Sequence, residues 1–249
     1  MCVYLALYRK WRPKVFSDVI SQEHITKTLQ NQVKTGRTAH AYLFTGSRGT
    51  GKTTCSKILA KAVNCLHPVD GNPCLECEIC RGIEEGSILD VVEMDAASNN
   101  SVEDVRTLRD EANYAPAVCK YRVYIIDEVH MLSPSAFNAL LKIMEEPPAH
   151  VLFILATTEL HKVPQTIISR CQQFDFRRIR PADSAARMLE IAKQEGFSLS
   201  EDAAALIARL ADGGMRDALS LLDQCASFSD QIDLKVVADT AGIAGSGHL

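Results

Sequence analysis

The sequence has no apolar run that approaches membrane-spanning length, and Met1-Cys2-Val3-Tyr4 leads into charged residues rather than an apolar signal segment. Both absences speak against a helical membrane protein and an exported one, so a cytoplasmic location is expected. An even cysteine set is lacking too: nine cysteines argue against a disulfide framework. Nor is there an excess of positive charge, and a net charge of −4 argues against a stand-alone nucleic-acid binder. The charge is nevertheless uneven. Residues 1–60 carry 10 Lys+Arg against 2 Asp+Glu, or +8, and residues 61–249 carry 17 against 29, or −12. That basic segment suits a face for phosphates, or is simply solvated. Hydrophobic content of 47% over 249 residues is enough to bury the core of one large domain or two smaller ones.

Against this background one stretch stands out. Gly46-Ser47-Arg48-Gly49-Thr50-Gly51-Lys52-Thr53 fits G-x-x-x-x-G-K-[ST], with a short apolar strand (40–45) before it and a helix through 56–63 after it. Glycines let the backbone curl so that successive N–H groups face one anion, and the helix N-terminus adds partial positive charge. The pattern therefore predicts a triphosphate cradle. Lys52 would reach the β- and γ-phosphates, Thr53 would hold Mg²⁺, and Thr54 follows them into the helix.

Cys65, Cys74, Cys77 and Cys80 form a C-x₈-C-x₂-C-x₂-C array, with Gly71, Asn72 and Pro73 supplying a turn. Four thiolates at that spacing can converge on one Zn²⁺ and close its shell, which makes the expected site structural. His67 competes as a ligand, and buried free thiols are the other reading. The remaining cysteines, Cys2, Cys55, Cys119, Cys171 and Cys225, are read as reduced thiols.

Further landmarks follow. A strand (90–95) precedes a polar loop and a helix capped by Ser101 that runs to about Tyr114. Tyr121 to Glu128 is an apolar strand ending in two carboxylates, at the edge where parallel α/β sheets gather ligands. Asp127 would join the Mg²⁺ shell and Glu128 would polarise the attacking water; otherwise the pair merely ends a strand and caps the next helix. A helix (135–144), a strand (151–156) ending in Thr157-Thr158, a short helix after Pro164 and a last strand (172–179) complete the first domain. Beyond 180 the pattern is purely helical, with helices at 184–195, 200–211 and 215–228. Arg216 lies in the first turn of the third, where the dipole disfavours a cation, so either an anion faces it or it pairs with Asp212 or Asp217. Residues 8–16 are an irregular basic arm. Trp11 there is a core anchor, and Arg9 and Arg12 are solvated, on residue type alone.

In this order the phosphate loop, Asp127-Glu128, Thr157-Thr158, Ser169-Arg170-Cys171 and Gly213-Gly214-Met215-Arg216-Asp217-Ala218 resemble one family. With the cysteine insert after the loop helix, the chain is similar to the N-terminal ATPase portion of the gamma/tau subunits of bacterial DNA polymerase III, AAA+ motors of the sliding-clamp loader. The resemblance covers essentially the whole chain. It implies a five-stranded parallel sheet flanked by helices over residues 1–179, with a four-cysteine zinc module at 65–80. A three-helix lid follows over 180–243, and 244–249 begin a linker to a collar domain. It also implies roles: Gly46 to Thr53 as Walker A, Asp127 and Glu128 as Walker B, Thr158 (less surely Thr157) as first sensor and Arg216 as second. Tyr8, Arg9, Trp11, Arg12 and Pro13 would border adenine, and Arg170 would reach the ATP of a neighbouring subunit. Ser21 departs from the family, which usually has glycine there; serine serves if its φ is negative.

The resemblance implies ATP, Mg²⁺ and Zn²⁺ as cofactors. Partners would be the delta and delta-prime subunits and further gamma/tau copies in a pentameric ring, the sliding clamp, and primer-template DNA. Because the collar assembles that ring, this chain is expected as a monomer without it. Two other functions stay open: a clamp-loader stator that does not hydrolyse ATP, disfavoured by Lys52, Thr53, Glu128 and Arg216, and a DNA-junction remodelling ATPase, disfavoured by the cysteine array. Arg106 and the loop Ser98–Ser101 are candidates for DNA contact, against a merely solvated face.

Overall fold

The computed structural model describes residues 4–243. In chain order its elements are α1 (Leu7–Lys10), α2 (Glu23–Thr35), β1 (Ala41–Gly46), α3 (Lys52–Asn64), α4 (Glu78–Glu85) and β2 (Val91–Asp95). Then come α5 (Val102–Ala112), β3 (Arg122–Asp127), α6 (Pro134–Glu145), β4 (Val151–Thr157), α7 (Gln165–Ile168) and β5 (Gln172–Phe176). The chain continues through α8 (Pro181–Glu195), β6 (Ser198–Leu199), α9 (Glu201–Leu210), α10 (Met215–Phe228), β7 (Gln231–Ile232) and α11 (Leu234–Thr240). Among the described residues no helix is long and apolar enough to cross a membrane.

Contacts divide the chain into two units: Lys14–Gly46 with Lys52–Phe176, and Met1–Pro13 with Ser47–Gly51 and Arg177–Leu249. The first is an α/β core around a five-stranded sheet in the order β2-β3-β4-β1-β5, every pairing parallel. Alternate residues of its strands go to opposite faces. Leu43, Tyr124, Ile126, Phe153 and Leu155 meet α5 and α6 in one apolar cluster. Tyr42, Phe44, Val123, Ile125, Leu152 and Ile154 meet α2 and α3 in another. Burial on both faces is what a parallel sheet requires, and it explains why these strands read as continuous apolar runs. Helix ends are set locally: Ser101 and Asp104 form a capping box, Ser133 accepts from the Ala136 N–H, and Gly36 ends α2 at φ 67°.

Helices α8 to α11 build the second unit around Met188, Ile191, Ile207, Leu219, Leu222 and Val237, with Leu7 of the arm in the same cluster. The arm expected with the α/β domain therefore belongs by contact to the helical unit. Trp11 explains why: its indole N–H donates to Glu195 Oε1 at 2.7 Å, and Lys10 pairs with the same carboxylate. The unit is not purely helical, because β6 and β7 pair in parallel, and it gains a fourth helix, α11, capped by Asp233. The last strand of the sheet stops at Phe176 rather than 179. Its only ladder partner among the described residues is β1, whose own last residue, Gly46, stands opposite Phe176. Residues 244–249, read as the start of a linker, lie outside the described residues.

Candidate nucleotide-binding site

The C-terminal edge of the sheet gathers the expected chemistry. Gly46 ends β1 at φ 134°, and a Cβ there would lie 2.3 Å from the Phe176 carbonyl oxygen, so only glycine lets β1 turn into the loop. Lys52, 6% exposed, begins α3 and donates to the Gly46 carbonyl at 2.7 Å. Burial pushes its ammonium down, against the pull of Glu128 and Asp127. One residue on, the Thr53 hydroxyl donates to Asp127 Oδ2 at 2.6 Å, while the Glu128 N–H holds Asp127 Oδ1 at 2.9 Å. Two oxygens, one from the loop helix and one from the end of β3, thus meet across 74 residues of sequence. They suit a hard cation: adjacent ligands of an octahedral Mg²⁺ lie about 2.9 Å apart.

Glu128 follows β3 in the left-handed region, at φ 48°, an unfavourable conformation for a side-chain-bearing residue. That turn sends its carboxylate toward the end of β4, where Thr158 donates to Oε2 through its hydroxyl (2.9 Å) and its N–H (3.3 Å). Thr157 is fully buried and engaged elsewhere. Arg170 donates to Thr166 O at 2.7 Å and pairs with Glu145 at 2.9 Å, with a third of its side chain exposed. Nothing in the local sequence singles out Glu145, because α6 and α7 meet only in the fold.

In the helical unit the loop tip Ser47–Gly51 lies with the start of α10. Thr50 closes the tip by donating to Ser47 O at 2.8 Å, and the Met215 N–H donates to Gly49 O at 3.0 Å. Gly49 (φ 76°) faces Gly214 so closely that a Cβ would come within 2.9 Å of its Cα. Arg48 is exposed, and Ser47, Gly51 and Thr54 are half-buried. Among the described residues Arg216 has neither expected carboxylate partner; Asp212 pairs with Arg178 instead. Its guanidinium sits 5.1 Å from the centre of the Tyr8 ring. A hydrogen bond from Arg9 (3.1 Å), its charge and that of Arg216 hold the Tyr8 phenol below its ordinary range. Trp11 is occupied: Arg187 covers its ring at 5.6 Å and Glu195 takes its N–H, so it anchors the arm. Arg12 and Pro13 follow it in the same unit.

The four array cysteines converge, with all sulfurs within 4.8 Å of one another. Tetrahedral zinc needs about 3.8 Å between sulfurs, so the set fits. Backbone N–H groups of Cys74, Cys77 and Cys80 donate to the sulfurs of Cys65, Cys74 and Cys77 at 3.2, 3.3 and 3.4 Å, the support expected for thiolates. Desolvation raises the Cys74 thiol, but the N–H groups of Cys77 and Glu76 outweigh it and bring it to about 6. Burial instead pushes Cys55, Cys119 and Cys171 up to about 12, which disfavours their thiolates. The convergent group does not include His67. Lys61, 3% exposed, ties α4 to α3 by pairing with Glu84 at 2.7 Å.

One expectation changes. Ser21 has φ +58°, so serine occupies a left-handed position rather than the negative-φ one that would suit it. Arg106 pairs with Glu103 at 2.6 Å, and Ser101 is committed to its cap.

Comparison with known proteins gives this geometry a family. Residues 21–180 match the family described as "DNA polymerase III, delta subunit", and 185–231 match "DNA polymerase III clamp loader subunit, ATPase lid domain". The chain is 59% identical over 98% of its length to DNA polymerase III subunit tau of Bacillus subtilis (strain 168), covering 43% of that protein. It is 44% identical over 98% of its length to subunit gamma of Buchnera aphidicola subsp. Schizaphis graminum, covering 68% of that protein. The chain belongs to the DNA polymerase III gamma/tau family. It spans less than half the length of the tau subunits of Bacillus subtilis, Salmonella typhimurium and Escherichia coli. Among solved structures, a Thermotoga maritima RuvB Holliday junction branch migration motor aligns with TM-score 0.68 over 94% of this chain and 72% of that one. At 19% identity that likeness shows the AAA+ fold alone.

Proposed function

We propose that this gamma/tau-family chain is an ATP-binding and hydrolysing motor of the replicative clamp loader, acting in the bacterial cytoplasm. The supporting observation is the meeting of Thr53, Asp127, Glu128 and Thr158 at one sheet edge beside buried Lys52. In this reading the loop amides and Lys52 hold the triphosphate. Thr53 and Asp127 would hold Mg²⁺, which supplies charge neutralisation at the phosphates. Glu128 orients water and accepts its proton, and Thr158 reports the terminal phosphate to Glu128. Arg216 reads the same phosphate, and Tyr8 and Arg9 border the base. Arg170 leaves Glu145 to stabilise charge on the ATP of a neighbouring copy.

The proposed partners are delta, delta-prime and further gamma/tau copies in a pentameric ring, which grips the sliding clamp on primer-template DNA until hydrolysis releases it. Zn²⁺ on Cys65, Cys74, Cys77 and Cys80 would brace α4 against the loop helix. The stator and junction-remodelling alternatives lack a specific observation in their favour.

An ATP titration of wild type and Lys52→Ala, with metal analysis of the purified protein, tests this. One zinc per chain and loss of ATP binding in the variant support the reading. A wild type that ignores ATP defeats it.

A further inference from the structure

The residue after Glu128-Val129 takes no part in the roles assigned so far. His130 lies in a 3₁₀ turn, Val129–Met131, with its side chain only 6% exposed. Its Nδ1 is 2.9 Å from Thr157 Oγ1 and 3.4 Å from Glu128 Oε2, and its Nε2 is 3.3 Å from Glu159 Oε1. Thr157 Oγ1 also accepts from the Glu159 N–H at 3.0 Å, which fixes the turn after β4. The imidazole is therefore a bridge from the end of β3 to the end of β4, with one nitrogen toward Glu128 and the other toward Glu159.

Glu128 Oε2 is thereby approached by three groups, the Thr158 hydroxyl and N–H and the His130 ring. Its Oε1 carries no hydrogen bond among the described residues. A glutamate in a strained backbone conformation keeps several rotamers unless something selects one. Selecting one matters, because a water-activating group displaced by an ångström can lose about 10²-fold in rate. Holding one oxygen and leaving its twin open is the arrangement that chemistry needs.

We propose that His130 is a positioning residue for water activation: its Nδ1, hydrogen-bonded to Thr157 Oγ1, sits 3.4 Å from Glu128 Oε2 and limits where that carboxylate can turn, while Nε2 faces Glu159 Oε1 at 3.3 Å. This rests on the reading of Glu128 as the group that activates water for ATP hydrolysis. A purely structural histidine would brace the two turns without affecting the reaction once the protein is folded.

Three variants separate the two roles, assayed in full-length protein assembled with its partner subunits. Asparagine places an amide nitrogen near the position of Nδ1, glutamine near that of Nε2, and alanine keeps neither. Nucleotide affinity should stay within about twofold for all three. His130→Ala and His130→Gln should lower kcat by about 10- to 100-fold, and His130→Asn should restore it to within about threefold of wild type. Alanine at wild-type kcat, or glutamine rescuing as well as asparagine, would overturn the proposal. Should alanine fail to fold, the contrast between asparagine and glutamine still decides.

A readout without activity keeps this separate from the ATPase reading. In protein labelled with ¹⁵N-histidine, the His130 Nδ1 resonance should move in Glu128→Gln and its Nε2 resonance in Glu159→Gln. A wild-type complex that does not hydrolyse ATP counts against the ATPase reading; an unmoved Nδ1 resonance counts against the His130 bridge.

Discussion

The two edges of one sheet treat their carboxylates in opposite ways. At the N-terminal edge Asp90, 1% exposed, accepts the N–H groups of Ala117, Val118 and Cys119 at 2.8–3.0 Å, with Arg122 3.4 Å away. Burial pushes its carboxyl up, but those donors outweigh burial and hold it below the ordinary carboxylate range. At the C-terminal edge Asp127 accepts on both oxygens, from the Thr53 hydroxyl and the Glu128 N–H, whereas Glu128 accepts from Thr158 on Oε2 alone and keeps Oε1 open among the described residues. Asp90, with both oxygens taken up by N–H donors, braces a loop; Glu128, with an oxygen to spare, can act on a ligand.

The largest effect that probes this contrast falls on Arg170. In the assembled complex Arg170→Ala should lower ATP turnover by about 10³- to 10⁵-fold, the worth of an arginine finger elsewhere. The isolated chain should turn over slowly with or without the substitution. Vigorous hydrolysis by the isolated wild type would mean that the C-terminal edge suffices alone.

Next, Glu128→Gln should cut turnover by about 10²- to 10⁴-fold while ATP binding, followed by titration, persists. Third, Asp90→Asn should cost about 2–3 kcal/mol in denaturant unfolding, because an amide offers its N–H₂ where N–H donors already point. The folded carboxyl lies below its unfolded value of about 3.9, so its contribution is full above that pH and fades as pH falls through the folded pKa. The gap between wild type and Asp90→Asn should therefore narrow below about pH 4. The smallest effect concerns strain away from the chemistry. Ser21→Gly should raise stability by about 0.5–1 kcal/mol, since glycine accepts φ +58° without cost to the folded backbone. Glu128 has similar strain at φ 48°, and there the proposed role requires the side chain.

What could be read in advance follows the reach of each contact. The phosphate loop and the cysteine array are local patterns, so spacing sufficed to name their residues, and both strands that end at the site were visible as apolar runs. Contacts that depend on strand order were not. His130 meets Thr157 across 27 residues, Arg170 meets Glu145 across 25, and Trp11 meets Glu195 across 184. Periodicity also could not tell that β5 stops where its single partner stops. Helix α11 was missed although Asp233, accepting from the Val236 N–H at 2.9 Å, marks its start.

The central claim is that the same chemical group does chemistry at one edge and structure at the other. Measuring ATP turnover in the assembled complex and unfolding free energy for Glu128→Gln and Asp90→Asn side by side tests it most directly. The account predicts a crossed result: Glu128→Gln loses turnover and keeps wild-type stability, while Asp90→Asn loses stability and keeps turnover under folding conditions. If both properties fall together in both variants, the distinction between the edges is wrong.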